Sequence, residues 1–167
     1  TDAQTCIVLI FFSDKFPSSV FVPNEKPWSL KDIDIMMPCA TQNEVDIEDA
    51  KMMAANGVKY YIEVSNMPTT AEAQDYIMAQ ENMIIAPSKA VNAGGVCVSG
   101  LEMSQNSQRL TWTAEEVDSK LRVAMIDIHA HSVKAAEKYG LGYDLVAGAN
   151  IAGFEKVAEA MMAQGIY

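Results

Sequence analysis

DIDIMMPCATQNEVDIEDAKMMAANGVKYYIEV, running from Asp32 to Val64, holds two strands and the helix between them. Asp32-Ile33-Asp34-Ile35-Met36-Met37-Pro38 reads as a strand that ends at a proline. Both of its faces turn apolar toward that end, the pattern of a strand buried in a parallel sheet. Asp46 is placed to cap a helix, Asp49 falls in its first turn, and Gly57 after Asn56 closes it. Val58 to Val64 is the second strand, rich in aromatic and β-branched residues. Working outward, Thr69 and Glu72 form a T-x-x-E capping box for a second helix. Met83 to Pro87 is a third short strand. The order strand, helix, strand, helix, strand implies a parallel sheet with right-handed crossovers.

After Pro87 no further strand is expected. Asn92-Ala93-Gly94-Gly95 leads into a helical stretch that reaches about Gln108. The next helix is signed more clearly: Thr113 caps it, Glu116 completes a capping box, and Trp112 with Val117 can form a hydrophobic staple. Val117, Leu121, Ala124, Met125, Ile128, Ser132 and Ala135 share one face of it. It runs to about Lys138 and stops at Gly140. A last helix is expected after Asn150, from Ile151 to Ala163, ending near Gly165. Three strands with helical covers and a helical tail make half of a doubly wound α/β fold. Such sheets bind ligands at the carboxyl ends of their strands.

The chain has 167 residues, enough for one domain with an appendage, and no internal repeat. Twelve Lys+Arg against twenty-two Asp+Glu leave a net charge of −10. An acidic chain repels phosphate backbones and anionic lipid, so neither nucleic acid nor a membrane is an expected partner. Cys6, Cys39 and Cys97 are odd in number and show no CxxC spacing, which points away from a disulfide framework or a zinc site. A reducing, cytoplasmic setting follows. The apolar run Cys6–Phe12 is far shorter than the ~20 residues that span a bilayer, and no basic region precedes it. Thr1 and this apolar run read as a cut through a longer or processed chain. The eleven methionines fall on helix and strand positions (Met52, Met53, Met125, Met161, Met162), where core filling is expected.

The three strands lead into Pro38-Cys39-Ala40-Thr41-Gln42-Asn43, Ser65-Asn66-Met67-Pro68-Thr69-Thr70 and Pro87-Ser88-Lys89-Ala90-Val91-Asn92-Ala93-Gly94-Gly95. All carry small residues and carboxamides. Asn and Gln offer both a donor and an acceptor, which suits a neutral amide or ribose hydroxyls better than phosphates. The same residues also favour caps and turns, so each loop alone is ambiguous, and three at adjacent strand ends indicate a site. Gly94-Gly95 permits close approach of either a ligand or a neighbouring helix. Lys89 can attract an anion or stay solvated. Cys39, before a possible helix, is either an activated thiol or a small buried residue. His129 and His131, two apart on a helix, point to different faces and do not chelate one metal. Asp127 and His131 are spaced for a surface ion pair. No P-loop and no G-x-G-x-x-G occurs. A methyltransferase-like reading would need such a glycine-rich first turn.

DIDIMMPCATQNEVD, VKYYIEVSNMPTTAEA, IIAPSKAVNAGGVCVSGLEMSQN and LVAGANIAGFEKVAEAMMAQG closely resemble glutamate dehydrogenase of the hexameric bacterial-type class. The resemblance covers about Asn24 to Tyr167, with the motifs in the same order. It implies a partial Rossmann-type sheet: residues 23–110 as the C-terminal half of the dinucleotide-binding domain and 111–167 as a C-terminal helical segment. Residues 1–22 do not resemble the family and are expected to be a divergent stretch, whether foreign, frame-shifted or locally diverged. The enzyme class oxidatively deaminates L-glutamate to 2-oxoglutarate and ammonia with NAD or NADP. Its glycine-rich turn, its cofactor selector and its catalytic lysines and aspartate lie in parts that do not match this chain. By resemblance, Val96 and Ser99 of NAGGVxxSG hold the substrate, Ser99 donating to a carboxylate and Val96 walling the side chain. Ala40, Thr41, Gln42, Asn66 and Asn92 lie along the cofactor, with Asn92 on the nicotinamide carboxamide. Ser65 stands where the family has a small apolar residue. No catalytic or metal-binding residue is expected in this chain, and alone it should not turn over. The full enzyme is expected to be a homo-hexamer. The alternative is a stand-alone, non-catalytic module that binds or oligomerises through an exposed sheet edge.

Overall fold

The computed structural model describes residues 15–20, 22, 23 and 25–165; the apolar run Cys6–Phe12 lies outside them. Three short strands, β1 (Ile35–Met36), β2 (Tyr60–Ile62) and β3 (Ile84–Ala86), form a parallel sheet in the order β1-β2-β3. Helix α1 (Ile47–Ala55) joins the first two strands and α2 (Ala71–Met78) joins the last two. Asp46 caps α1 by accepting from the backbone N–H groups of Glu48 and Asp49, and Asp49 returns the bond in a capping box. Lys26 Nζ sits over this turn, 2.5 Å from Asp49 and 3.4 Å from Asp46. Asp46 is held below the usual carboxylate range, first by the backbone N–H of Asp49 and further by Lys26. Gly57, at φ +82°, ends the helix in a conformation that glycine adopts without strain.

The register sets Ile35 beside Tyr60 beside Ile84, and Met36 beside Tyr61 beside Ile85. Met36, Tyr61 and Ile85 are buried, and with Met53, Ile77 and Trp28 they belong to the core beneath α1 and α2. Ile35, Tyr60 and Ile84 stay 50%, 44% and 40% exposed. The expectation that the first strand is buried on both faces is therefore corrected. Two crossovers stepping in one direction across a sheet place both helices on the same face; α1 and α2 indeed pack together. The opposite face has no helical cover among the described residues.

Helix α3 (Ser88–Val91) follows β3, then α4 (Ala93–Gln108), α5 (Ala114–Lys138) and α6 (Leu145–Gln164). Thr113 and Glu116 form the expected capping box of α5. The predicted face of α5 is the inner one: Ser132 and Ala135 are buried and the other five positions half-buried. There α5 packs along α6, which also touches β3.

Four readings change. Thr70, not Thr69, caps α2, accepting from Ala73 N–H, while Thr69 turns inward. The third loop is one turn of helix, α3. Helix α6 begins at Leu145, capped by Asp144, rather than after Asn150. Its early glycine, Gly148, weakens the local helix signal but is needed for packing: a Cβ there would lie 2.1 Å from Ser132 O on α5. Finally, Met53 fills the core and Met125 is half-buried, but Met52, Met161 and Met162 are exposed.

Candidate functional site at the strand ends

The loops after the three strands are laced together. Pro38 O accepts from both Val64 N–H and Ser65 N–H at 3.1 Å. Asn43 N–H donates to Met67 O, Val45 N–H to Pro68 O, and Thr70 N–H to Val45 O, all within 3.0 Å. Val45 and Thr69 thus extend the parallel pairing past the ends of β1 and β2. The tight path puts Asn43 at φ +55° and Met67 at φ +48°. Asparagine tolerates this left-handed region; methionine is strained in it, a feature that collects at functional loops.

On this frame Asn92 Nδ2 donates to Asn66 Oδ1 at 2.6 Å, bridging the second and third loops. The pair leaves Asn66 Nδ2 and Asn92 Oδ1 without a protein partner among the described residues. One donor and one acceptor side by side are the complement of a carboxamide. Ala40, Thr41 and Gln42 are exposed beside them on the first loop, where Ala40 N–H donates to Glu44. Asn92 is the N-cap of α4 with helical φ and ψ. Val96 and Ser99 therefore follow it at i+4 and i+7 on the same helical face. Val96 is 73% exposed and Ser99 is exposed as well. At 1.5 Å per residue, Ser99 lies about 10 Å along the axis from Asn92. Of the seven residues singled out in the sequence, Asn66 and Asn92 are joined directly, Val96 and Ser99 share the helical face that follows Asn92, and Ala40, Thr41 and Gln42 are exposed on the first loop.

The two glycines divide the alternatives between them. Gly94 faces α5, where an added Cβ would meet Met125 and Leu121 at 3.2–3.3 Å, so it serves helix packing. Gly95 has nothing within 4 Å and leaves room beside Asn92 and Val96. Lys89 is engaged, donating to Asn150 Oδ1 on α6. Cys39 is exposed and donates to Met37 O, with no helix beginning near it. His131 pairs with the backbone carbonyl of Asp127 rather than its carboxylate, and His129 bonds Tyr143. No group of three metal-ligating side chains forms among the described residues. A groove of about 570 Å³ between α5 and α6 contains Lys89 but none of the seven site residues. It holds no convergent set of donors for a carboxamide, and the strand-end surface is the better-founded site.

Ser65 Oγ is buried without a partner, as expected where an apolar residue is normal. Glu63 and Thr69 escaped the sequence reading. Glu63 is 3% exposed and accepts from Thr69 Oγ1 at 2.6 Å, from Ser88 N–H at 3.0 Å and from Gln74 at 3.4 Å. Thr69 spends its only hydrogen on Glu63, so the 2.7 Å contact with Tyr61 is donated by the tyrosine. Burial pushes the Tyr61 phenol strongly upward, keeping it a donor. The available signal was alternation: Glu63 shares the inward face of Tyr61, two residues on.

A three-stranded parallel sheet with crossover helices and a helical tail places the chain among the α/β proteins, as part of a doubly wound fold. Within that class the chain belongs to the Glutamate/Leucine/Phenylalanine/Valine dehydrogenase family, whose model matches residues 9–165. The match takes in residues 9–22 of the stretch expected to be divergent. The NAD-specific glutamate dehydrogenase of Clostridium symbiosum is 69% identical over 155 residues, 93% of this chain and 34% of that protein. The NADP-specific glutamate dehydrogenase of Haemophilus influenzae is 48% identical over 161 residues, again 93% and 34%. A solved glutamate dehydrogenase superposes with a TM-score of 0.89 at 68% identity, covering 95% of this chain and 35% of that one. The chain spans about a third of the length of the relatives it matches. No helix among the described residues is long and apolar enough to cross a membrane.

Proposed function

We propose that this chain supplies the nicotinamide-side third of a glutamate dehydrogenase, oxidising L-glutamate to 2-oxoglutarate and ammonia with NAD or NADP. The observation that carries the reading is the Asn66–Asn92 pair, whose free donor and acceptor sit on one surface with Val96 and Ser99. Asn92 Oδ1 and Asn66 Nδ2 take the carboxamide and the adjoining ribose; Ala40, Thr41 and Gln42 line the path of the rest of the cofactor. A nicotinamide held there would supply the hydride acceptor. Ser99, about 10 Å along the helix axis from Asn92, donates to a substrate carboxylate, and Val96 walls the aliphatic part of the substrate. Residues 23–110 serve as the cofactor half-domain and 111–167 as the helical segment behind it.

Deprotonating and polarising glutamate needs a positioned base and cation. No lysine or aspartate among the described residues stands free beside Val96 and Ser99. The isolated chain is therefore expected to show no turnover, and catalysis to need the remaining two-thirds of the enzyme, assembled as a homo-hexamer. The apolar sheet face of Ile35, Tyr60 and Ile84 favours a second reading, a non-catalytic module that associates through that face.

The test joins this chain to the first two-thirds of the Clostridium symbiosum relative and measures glutamate-dependent reduction of NAD and of NADP. Activity within about tenfold of the relative is expected, with Asn92→Ala and Ser99→Ala each lowering kcat/KM at least tenfold. A folded but inactive chimera would sink the enzyme reading and favour the module. Turnover by the isolated 167-residue chain would show that no other part is required.

A further inference from the structure

We propose that Glu63 is the positioning residue that sets the spacing of the Asn66–Asn92 pair and so tunes the affinity of the site for the nicotinamide cofactor. This rests on the cofactor reading above. Glu63 closes β2 and is 3% exposed. No cationic side chain among the described residues pairs with it. Burying a carboxyl group without a cation is costly, and it persists only where donors satisfy it. Here the donors come from two of the three site loops. Oε1 accepts from Thr69, three residues after Asn66, and Thr69 is braced from behind by Tyr61. Oε2 accepts from the backbone of Ser88, whose own carbonyl accepts from Asn92 N–H at 2.8 Å. Gln74 of α2 reaches the same oxygen. The carboxylate therefore grips the far shoulder of each loop while the two asparagines meet across the gap at 2.6 Å. A fully satisfied buried network of this kind specifies one arrangement of the segments it joins.

The substrate residues are held differently. Helix α4, which carries Val96 and Ser99, seats on α5 through Gly94 against Leu121 and Met125. Loosening Glu63 should disturb the asparagine pair and leave Val96 and Ser99 in place. That separates the clamp from a general contribution to folding.

The test uses the chimera above and compares Glu63→Gln, Thr69→Val and Thr69→Ser. In Glu63→Gln the side chain keeps its shape but turns an NH2 group toward either Thr69 or Ser88, so one shoulder loses its acceptor. Thr69→Val keeps the volume and removes the donor; Thr69→Ser restores it. For Glu63→Gln and Thr69→Val we expect the KM for the cofactor to rise about tenfold. The KM for glutamate should stay within twofold, and Thr69→Ser should return the cofactor KM to within twofold of the parent. Equal rises in both KM values, or a lower melting temperature with an unchanged cofactor KM, would overturn the proposal in favour of a purely structural role. A parent chimera without activity would instead strike the cofactor reading itself.

Discussion

Ser65 shows how much one hydroxyl can reveal. It precedes Asn66, its Oγ is buried, and nothing among the described residues accepts from it or donates to it. A buried unsatisfied hydroxyl costs about 1–3 kcal/mol. Ser65→Ala removes that cost and leaves only a small void. The variant should be more stable by about 1 kcal/mol in urea titrations of the chain. A loss of stability would mean that the hydroxyl has a partner, such as an ordered water, that this frame requires. Residue-level reading worked well where the chemistry was self-contained. Asn66 and Asn92 were legible because an amide advertises both halves of its hydrogen bonding. Glu63 was not, because its partners lie at Thr69, Gln74 and Ser88, and no local pattern names them. Thr69 lies outside its expected role for the same reason: T-x-x-E fits only Thr69 with Glu72, Thr70 having Ala73 at that spacing, but the buried Glu63 takes the Thr69 hydroxyl and leaves the cap to Thr70.

Among the elements, the helices were read with uneven success. The α1 and α5 starts are local events, in which Asp46 and Thr113 satisfy N–H groups two or three residues on. The start of α6 is also capped locally, by Asp144, yet its small, glycine-containing first turns give little helical signal of their own. They make sense only against α5, where Gly148 touches Ser132 O. Replacing Gly148 by alanine would force a Cβ into that carbonyl, so α6 must move away from α5. The expected loss is about 3 kcal/mol, although alanine is the better helix former. Thermal unfolding of Gly148→Ala against Gly153→Ala, where the added methyl meets open space, checks it. Equal melting temperatures for the two variants would mean that the close α5–α6 crossing does not form in solution.

For the whole molecule, the governing fact is a sheet with one dry face and one that stays exposed among the described residues. Ile35, Tyr60 and Ile84 lie side by side across all three strands, with Met37 also exposed just beyond β1. Contiguous apolar patches of this kind mark surfaces that something else covers. The isolated chain should therefore self-associate at micromolar concentration and bind a hydrophobic dye. Tyr60→Lys, at the centre of the patch, should shift sedimentation toward monomer without lowering the melting temperature by more than a few degrees. An isolated parent chain that is already monomeric and dye-silent would show that the face is not sticky. In the chimera the same substitution should cost activity, because the added charge would have to be desolvated beneath the covering part.

Periodicity, caps and turn residues act over four to eight positions. They were enough to place the strand–helix alternation and the parallel class of the sheet. Three features depended on packing: the face of the sheet that stays bare, the entry of α6 onto α5, and the Glu63 clamp behind the asparagine pair. Each joins groups brought together by the route of the chain through space; in the clamp Glu63 meets Thr69 six residues on, Gln74 eleven on and Ser88 twenty-five on. Short-range propensity carries no record of those meetings. They exist because crossover direction and close packing select one arrangement from many that the local signals would equally allow.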